Sequence, residues 1–239
     1  MKEVARGMDD AHLTETQFKE LAQYDVPTIA NAIERFQVRD RLEGFPGWST
    51  RCLLPELGPM LGYAVTATVD STTPGSSFDL DAYIALYEAI EQSAGPVVVV
   101  MQDVGPDPRR GCHVGDNMAS AMVALGVVGM VIDSGVRDLA GFRSLHFRAF
   151  GPGTVASHGN NHIVEVGIPV KVDGMGVVPG DVVAGDENGV ICIPRMLAAD
   201  VAAAARQVHV EETAFQAFTR EPGFSSALLR QRLAHRATR

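Results

Sequence analysis

The chain has 239 residues, 46% of them hydrophobic and 24 of them glycine, a composition typical of compact α/β proteins with many tight turns. Its net charge of -9 excludes a nucleic-acid partner, because binding to a phosphate backbone requires a clustered basic face. Three widely separated cysteines, no signal-peptide core and no apolar run of bilayer length predict a cytoplasmic protein without a membrane partner.

Two short helices are predicted near the N-terminus, over about residues 13–35. Thr14 and Gln17 have the spacing of a capping box, which starts the first helix. Asp25, followed by Pro27 at a first-turn position, starts the second. The stretch after these helices is rich in glycine and proline, and we expect an irregular connection there.

The central part of the chain alternates strand and helix patterns. β-Branched or apolar runs predict strands, and apolar residues at helical spacing predict the helices between them. The predicted strands cover residues 63–69, 97–101 and 127–132, and the predicted helices cover 79–92 and 117–125. The order strand, loop, helix, strand after residue 97 is that of a right-handed βαβ unit with parallel strands.

The later part of the chain changes character. Residues 164–193 are broken by glycine- and proline-rich turns into short strands, which indicates a β-meander or a small barrel-like layer. An alanine-rich helix begins near Met196 and opens a helical tail over about residues 196–239. No repeat or low-complexity linker divides the chain. We therefore predict a single α/β domain over residues 1–239, with two β layers and flanking helices.

Charged residues follow the last strand of the predicted βαβ unit. Its apolar run ends at Asp133, and Arg137 and Asp138 come next, where a helix would begin. Ligands of open α/β sheets bind beyond the carboxyl ends of parallel strands, and carboxylates there suit Mg²⁺ or Mn²⁺ better than zinc. Alternatively, Asp138 caps the helix and Arg137 is a surface residue.

A second candidate site precedes the helix at 117–125. Gly115 frees the backbone ahead of the helix, so the amides of Asn117 and Met118 are available to bind a carboxylate at its positive end. Asp116 lies between them and adds an acidic group. The alternative is that Asp116 is simply the N-cap of the helix.

Several other residues are open candidates. His158 and His162 are four apart in a glycine- and asparagine-rich loop, where solvent-facing and substrate-adjacent roles are both possible. Arg109 and Arg110 could receive a second substrate carboxylate or could simply be solvated. Alternation along its strand predicts that Lys171 faces solvent, which argues against Schiff-base chemistry.

Four sequence motifs resemble the RraA-like family, which includes 4-hydroxy-4-methyl-2-oxoglutarate aldolases. They occur in the family's order, and the similarity covers roughly residues 13–220. The motifs are Leu61-Gly-Tyr-Ala-Val-Thr66, Gly115-Asp-Asn-Met118, the stretch 126–138 ending in Asp133-Ser-Gly-Val-Arg-Asp138, and the stretch 179–190 beginning Pro179-Gly-Asp181.

The resemblance implies an α-β-β-α sandwich of the swivelling β/β/α type, assembled as a homotrimer or homohexamer with the active site at the subunit interface. It implies a class II pyruvate aldolase that depends on Mg²⁺ or Mn²⁺, cleaves 4-hydroxy-2-oxo diacids and decarboxylates oxaloacetate. Both reactions leave a negative oxygen on pyruvate, which a divalent cation stabilises as a Lewis acid.

The resemblance also implies roles for individual acidic residues. Asp138 would bind the metal directly, and Asp116 would hold a water molecule on the metal and serve in catalysis as part of the proton path. A glutamate of the neighbouring subunit would reach the metal through water. Glu212 is the preferred match for it, and Glu211 is the alternative.

The implied substrate contacts come from the other motif residues. Arg137 would contact the substrate and stabilise developing negative charge. Gly115 and the amides of Asn117 and Met118 would hold the pyruvyl carboxylate.

Two other functions compete with the enzyme hypothesis. One is a non-catalytic regulator of ribonuclease activity, like the namesake proteins of the family. Those proteins lack the aspartate of the Arg-Asp pair, so Asp138 favours an enzyme. The other is a methyltransferase, but the sequence has no strand-loop-helix pattern with an acidic ribose contact for adenosine binding.

Overall fold

The computed structural model describes residues 12–75 and 78–237. The helices are α1 (Glu15–Leu21), α2 (Val26–Glu34), α3 (Leu80–Glu91), α4 (Asp116–Ala124), α5 (Leu139–Leu145), α6 (Ala198–Thr219) and α7 (Ser226–Ala237). The strands are β1 (Arg51–Cys52), β2 (Met60–Asp70), β3 (Val97–Asp103), β4 (Val127–Ile132), β5 (Arg148–Gly151), β6 (His162–Val166), β7 (Val170–Val172), β8 (Met175–Val177), β9 (Val182–Asp186) and β10 (Gly189–Ile193).

The helix starts follow the predicted capping chemistry. The Thr14 side chain accepts from the Gln17 amide and the Gln17 side chain accepts from the Thr14 amide, which completes the capping box. Asp25 caps α2 by accepting from the amide of Thr28 at 2.9 Å. Within the described part of the chain, no helix is both long and apolar enough to cross a membrane.

The main sheet has the strand order β1-β5-β4-β3-β2-β9-β10, and β6 pairs with the far half of β2. Strands β2, β3, β4 and β5 run parallel, and β1, β6, β9 and β10 are antiparallel to their neighbours. The predicted βαβ unit is confirmed as β3-α4-β4. Hairpin β7–β8 forms the second, smaller β layer.

The sheet curls until β1 at one end contacts β10 at the other, so it has an inner and an outer face. Alternation along β3 illustrates this arrangement: Val97 and Val99 pack outward under α3, α4 and α5, whereas Val98 and Val100 pack inward with the β7–β8 hairpin. Helices α1, α2 and α6 cover β9 and β10. The predicted α/β fold with helices around two β layers is confirmed.

Candidate active site

Three loops run side by side beyond the carboxyl ends of β3, β4 and β5. The amide of Gly135 donates to the carbonyl of Gly111 at 2.9 Å, and the amide of Val136 donates to that of Gly153 at 3.0 Å. Isolated β-bridges join Cys112 to Gly135 and Val136 to Thr154. These backbone hydrogen bonds continue the strand pairing just beyond the strand ends. They hold in place the loops on which the candidate residues lie.

The Arg-Asp pair lies at the start of α5. Arg137 Nε lies 3.3 Å from Asp138 Oδ2, and the two side chains are 34% and 36% exposed, so both are open to a ligand. Asp138 occupies the N-cap position with left-handed backbone angles (φ 60°, ψ 39°), but its side chain makes no capping bond. Its Oδ2 instead accepts from the amide of Asp116 at 3.3 Å. The capping alternative for Asp138 is therefore wrong.

Two glycines allow this close approach of α4 and α5. A Cβ atom at Gly115 would lie 2.6 Å from Asp138 Oδ2 and 3.0 Å from Arg137 Nε. A Cβ atom at Gly141 would lie 2.5 Å from the Cβ of Asp116. Real Cβ atoms essentially never approach other heavy atoms this closely, so any larger residue at either position would push the acidic groups apart.

The N-terminus of α4 faces the same region. Gly115 is its N-cap, with φ -116° and no side chain to bond the first-turn amides, and Asp116 is the first helical residue. The alternative that Asp116 is the N-cap is therefore wrong. The amides of Asn117 and Met118 follow the Asp116 amide, which bonds to Asp138, and lie at the positive end of the helix dipole.

A cavity of about 70 Å³ lies between these groups. Its volume is about twice the volume that one water molecule occupies in liquid water, which suits the carboxylate end of a small acid. It is lined by Cys112, His113, Gly115, Asp116, Asn117, Met118, Arg137, His158 and Asn161. The structure thus brings Arg137 to the motif at 115–118 and adds four residues to them, whereas Asp138 lies just outside the lining, bonded to the Asp116 amide.

Two of the added residues come from the segment before β6. With its amide oriented to satisfy both groups, Asn161 Nδ2 donates to the carbonyls of Cys112 and His158 at 2.9 Å each. The Nδ1 of His158 lies 2.7 Å from the carbonyl oxygen of Gly159. His158 therefore lines the cavity, whereas His162 lies on β6 opposite Asp70.

The thiol in the cavity wall is not a nucleophile. Burial raises the pKa of Cys112 to about 11, although the nearby Arg137 opposes this effect. The thiol donates to the carbonyl of Val114 at 3.3 Å. Cys112 therefore contributes packing rather than reactivity.

Asp133 lies elsewhere. Its neighbour Val131 packs on the inner face of the sheet, and alternation turns Asp133 the same way. Its Oδ1 accepts from the amide of Asp103 at 2.7 Å. Burial raises the pKa of Asp133 to about 6, opposed by this hydrogen bond and reinforced by the nearby carboxylate of Asp103. The expectation that Asp133 shares a site with Asp138 is not met.

The raised pKa of Asp133 gives a pH-dependent stability. The folded state binds the carboxyl proton of Asp133 more tightly than the unfolded state does. This proton's contribution to stability is therefore full below about pH 4 and is lost as the pH rises through about 6. We compare the free energies of unfolding of Asp133→Asn and the natural protein. The variant's value, relative to the natural one, should be about 1–2 kcal/mol higher at pH 7.5 than at pH 4.5. Urea unfolding at both pH values measures this gain, and a difference that does not change with pH would contradict it.

The remaining predicted residues lie outside the cavity wall. Glu212 is on α6, where its Oε1 accepts from Asn31 Nδ2 at 2.9 Å, and Glu211 pairs with Arg35 at 2.8 Å. Both line a groove of about 740 Å³ between α2, α6 and α7. Because Glu212 is assigned to the neighbouring subunit's site, its role stays a prediction. Arg109 and Arg110, also predicted candidates, are exposed in a short 3-10 turn, and Lys171 is exposed as predicted.

The Arg-Asp pair offers a divalent cation one carboxylate, that of Asp138. Within residues 12–75 and 78–237, no three His, Cys, Asp or Glu side chains form a cluster that could hold a metal ion. A cation here would rely on Asp138, with Asp116 beside it and the other ligands from water, substrate or another chain. Mg²⁺ is commonly bound in this way, through one or two carboxylates, and zinc is not.

Comparisons with known proteins agree on one family. The sequence profile of the RraA-like family, described as Aldolase/RraA, matches residues 26–192. A protein of Halalkalibacterium halodurans named "Putative 4-hydroxy-4-methyl-2-oxoglutarate aldolase" is 31% identical over 176 residues, which are 73% of this chain and 79% of that protein.

Solved structures agree on the fold. An uncharacterised protein of Pseudomonas syringae pv. tomato superposes with a TM-score of 0.74 at 23% identity, covering 94% of this chain and 97% of the other. RraAS2 of Streptomyces coelicolor, described as an unusual member of the RNase ES inhibitor RraA family, superposes with a TM-score of 0.68 at 20% identity, covering 86% and 97%. At these identities the likeness concerns the fold alone.

Proposed function

The chain belongs to the RraA-like (Aldolase/RraA) family, and on that premise we propose that it is a divalent-metal-dependent lyase. It would cleave 4-hydroxy-2-oxo diacids to pyruvate by a retro-aldol reaction and would decarboxylate oxaloacetate. The observation that carries the proposal is the position of Asp138. Its carboxylate does not cap its own helix, lies open beside Arg137, and accepts from the Asp116 amide at the edge of the cavity.

Each group around the cavity has a task in this reaction. The amides of Asn117 and Met118 would bind the substrate carboxylate, and this contact fixes the position of the neighbouring keto group. Arg137 would stabilise the negative charge that grows on the keto oxygen as the carbon-carbon bond breaks. Mg²⁺ or Mn²⁺ held by Asp138 would supply a Lewis acid for the same oxygen.

Proton transfer falls to Asp116. Its carboxylate lies against Gly141 on α5, beside the Arg-Asp pair, and its backbone amide is already bonded to Asp138. It would hold a water molecule that takes the proton from the 4-hydroxyl group as the carbon-carbon bond breaks and returns one to the methylene carbon of the resulting enolate, which becomes the methyl group of pyruvate.

We also propose that the active unit is a homotrimer or homohexamer in which Glu212 of one chain completes the site of the next. Glu212 lies in the open groove of its own chain, away from the cavity. Its carboxylate is partly exposed and has one hydrogen bond to Asn31, so it would be free to face another subunit.

Metal removal tests the proposed function. We expect the protein with Mg²⁺ or Mn²⁺ to release pyruvate from oxaloacetate or from 4-hydroxy-4-methyl-2-oxoglutarate, measured by coupling to lactate dehydrogenase. EDTA should lower the rate by at least about 100-fold, and excess metal should restore it.

The control subtracts the rate of oxaloacetate decay with metal but without protein. A rate that EDTA leaves unchanged would refute the metal requirement. No pyruvate from any of these acids would favour a non-catalytic member of the family.

A further inference from the structure

His113 is the one cavity residue whose polar ring is almost wholly buried. The residue lines the cavity together with Gly115 and Asp116, yet it is only 3% exposed. Its Nδ1 atom is buried without a hydrogen-bond partner in the described part of the chain. No predicted role accounts for this ring.

The burial of Nδ1 determines where the ring carries its proton. A neutral imidazole has one N–H group and one unprotonated nitrogen. A buried N–H without an acceptor is costly and rare, whereas a buried lone pair is tolerated better. The proton therefore belongs on Nε2, because Nδ1 has no acceptor for it among the described residues.

The ring is also neutral in the working range of pH. Burial lowers the pKa of His113 to about 4, and repulsion from the nearby His162 adds to this effect. At pH 7 the ring is thus a fixed hydrogen-bond donor and neither a cation nor a base. Its backbone is held in place, because the adjacent Cys112 is bridged to Gly135 and its carbonyl accepts from Asn161.

We infer that His113 is a substrate-binding residue whose Nε2–H donates a hydrogen bond to an oxygen of the small 2-oxo acid bound in the cavity. This inference rests on the proposed function and adds a neutral donor to the charged Arg137 and the backbone amides. A neutral donor holds an oxygen in place without exchanging protons with it. His113 therefore belongs to substrate recognition rather than to the proton path.

Nuclear magnetic resonance of the whole, ¹⁵N-histidine-labelled protein tests the inference directly. At pH 7 we expect the ring of His113, assigned by its loss in His113→Gln, to be the neutral Nε2–H tautomer. Adding pyruvate with Mg²⁺ should shift its Nε2 resonance. An Nδ1–H tautomer, a charged ring, or a resonance that pyruvate leaves unmoved would each overturn the inference.

Matched substitutions give a second test. His113→Gln keeps an N–H donor near the position of Nε2 and should bind pyruvate within about threefold of the natural protein. His113→Leu fills the same space without a donor and should bind pyruvate about tenfold more weakly, the effect of one lost hydrogen bond. A leucine variant with natural affinity would overturn the inference. If that variant does not fold, the resonance measurements on the natural protein decide.

The two proposals fail in different ways. If pyruvate shifts the His113 resonance but no 2-oxo acid is cleaved, the lyase proposal is wrong and the His113 contact stands. If pyruvate is released in a metal-dependent way while His113 does not respond, the contact is wrong and the lyase stands.

Discussion

Asp138→Asn should lower kcat/KM for pyruvate release by about 10³-fold while leaving the melting temperature within about 2 °C. The substitution replaces one carboxylate oxygen with an amide group of the same size and removes the negative charge that would hold a divalent cation. The fold should not suffer, because asparagine adopts left-handed backbone angles as readily as aspartate and its Oδ1 can still accept from the Asp116 amide.

The control for this substitution is a similar pair close by. Arg109 Nε lies 3.2 Å from Asp107 Oδ1, much as Arg137 Nε lies from Asp138, but neither residue of that pair lines the cavity, whereas Arg137 does. Asp107→Asn should leave both activity and stability unchanged. If Asp138→Asn retained the natural rate, the proposed site would be refuted. Equal losses in the two variants would point to a general effect of charge.

Gly115→Ala should lower kcat/KM by about 100-fold and destabilise the fold by about 1–3 kcal/mol. The backbone at Gly115 has φ -116°, which alanine adopts freely, so the effect comes from the added methyl group. That carbon would lie 2.6 Å from Asp138 Oδ2 and must push the Arg-Asp pair away from the amides of α4.

Gly176→Ala is the matched control, because a Cβ atom there would meet nothing within 4 Å and its backbone is that of a strand. It should be active and slightly more stable, as glycine in a strand costs conformational entropy. Steady-state kinetics and thermal melting of both variants measure the difference. An alanine at position 115 without effect on kcat/KM would show that the close approach of the two loops is dispensable.

Local sequence signals predicted much of the scaffold. The capping box at Thr14, the Asp25 cap and the apolar run before Asp133 depend only on neighbouring residues, and all are found in the structure. The parallel β3-α4-β4 unit followed from the same kind of signal, because a short crossover leaves few alternatives. These features also brought Gly115 and Asp138 to the same edge of the sheet.

The parts that could not be predicted depend on distant contacts. His158 and Asn161 reach the cavity because the segment before β6 bonds to the loop at Cys112, about 50 residues earlier in the chain. Asp133 turns inward because the alternation of side chains along β4 continues one residue past the strand. The prediction grouped Asp133 with Asp138 only because both follow the same strand in sequence. His113 was not predicted either, although it stands in the glycine-rich loop directly ahead of α4.

The left-handed backbone at Asp138 also bears on how such chains diverge. Glycine and asparagine tolerate this geometry, so a lineage could exchange the acid for either one without harming its scaffold. One substitution at this position would abolish catalysis. Selection for stable folding alone would not remove such a variant. The same fold can therefore easily acquire non-catalytic functions that depend only on its surface.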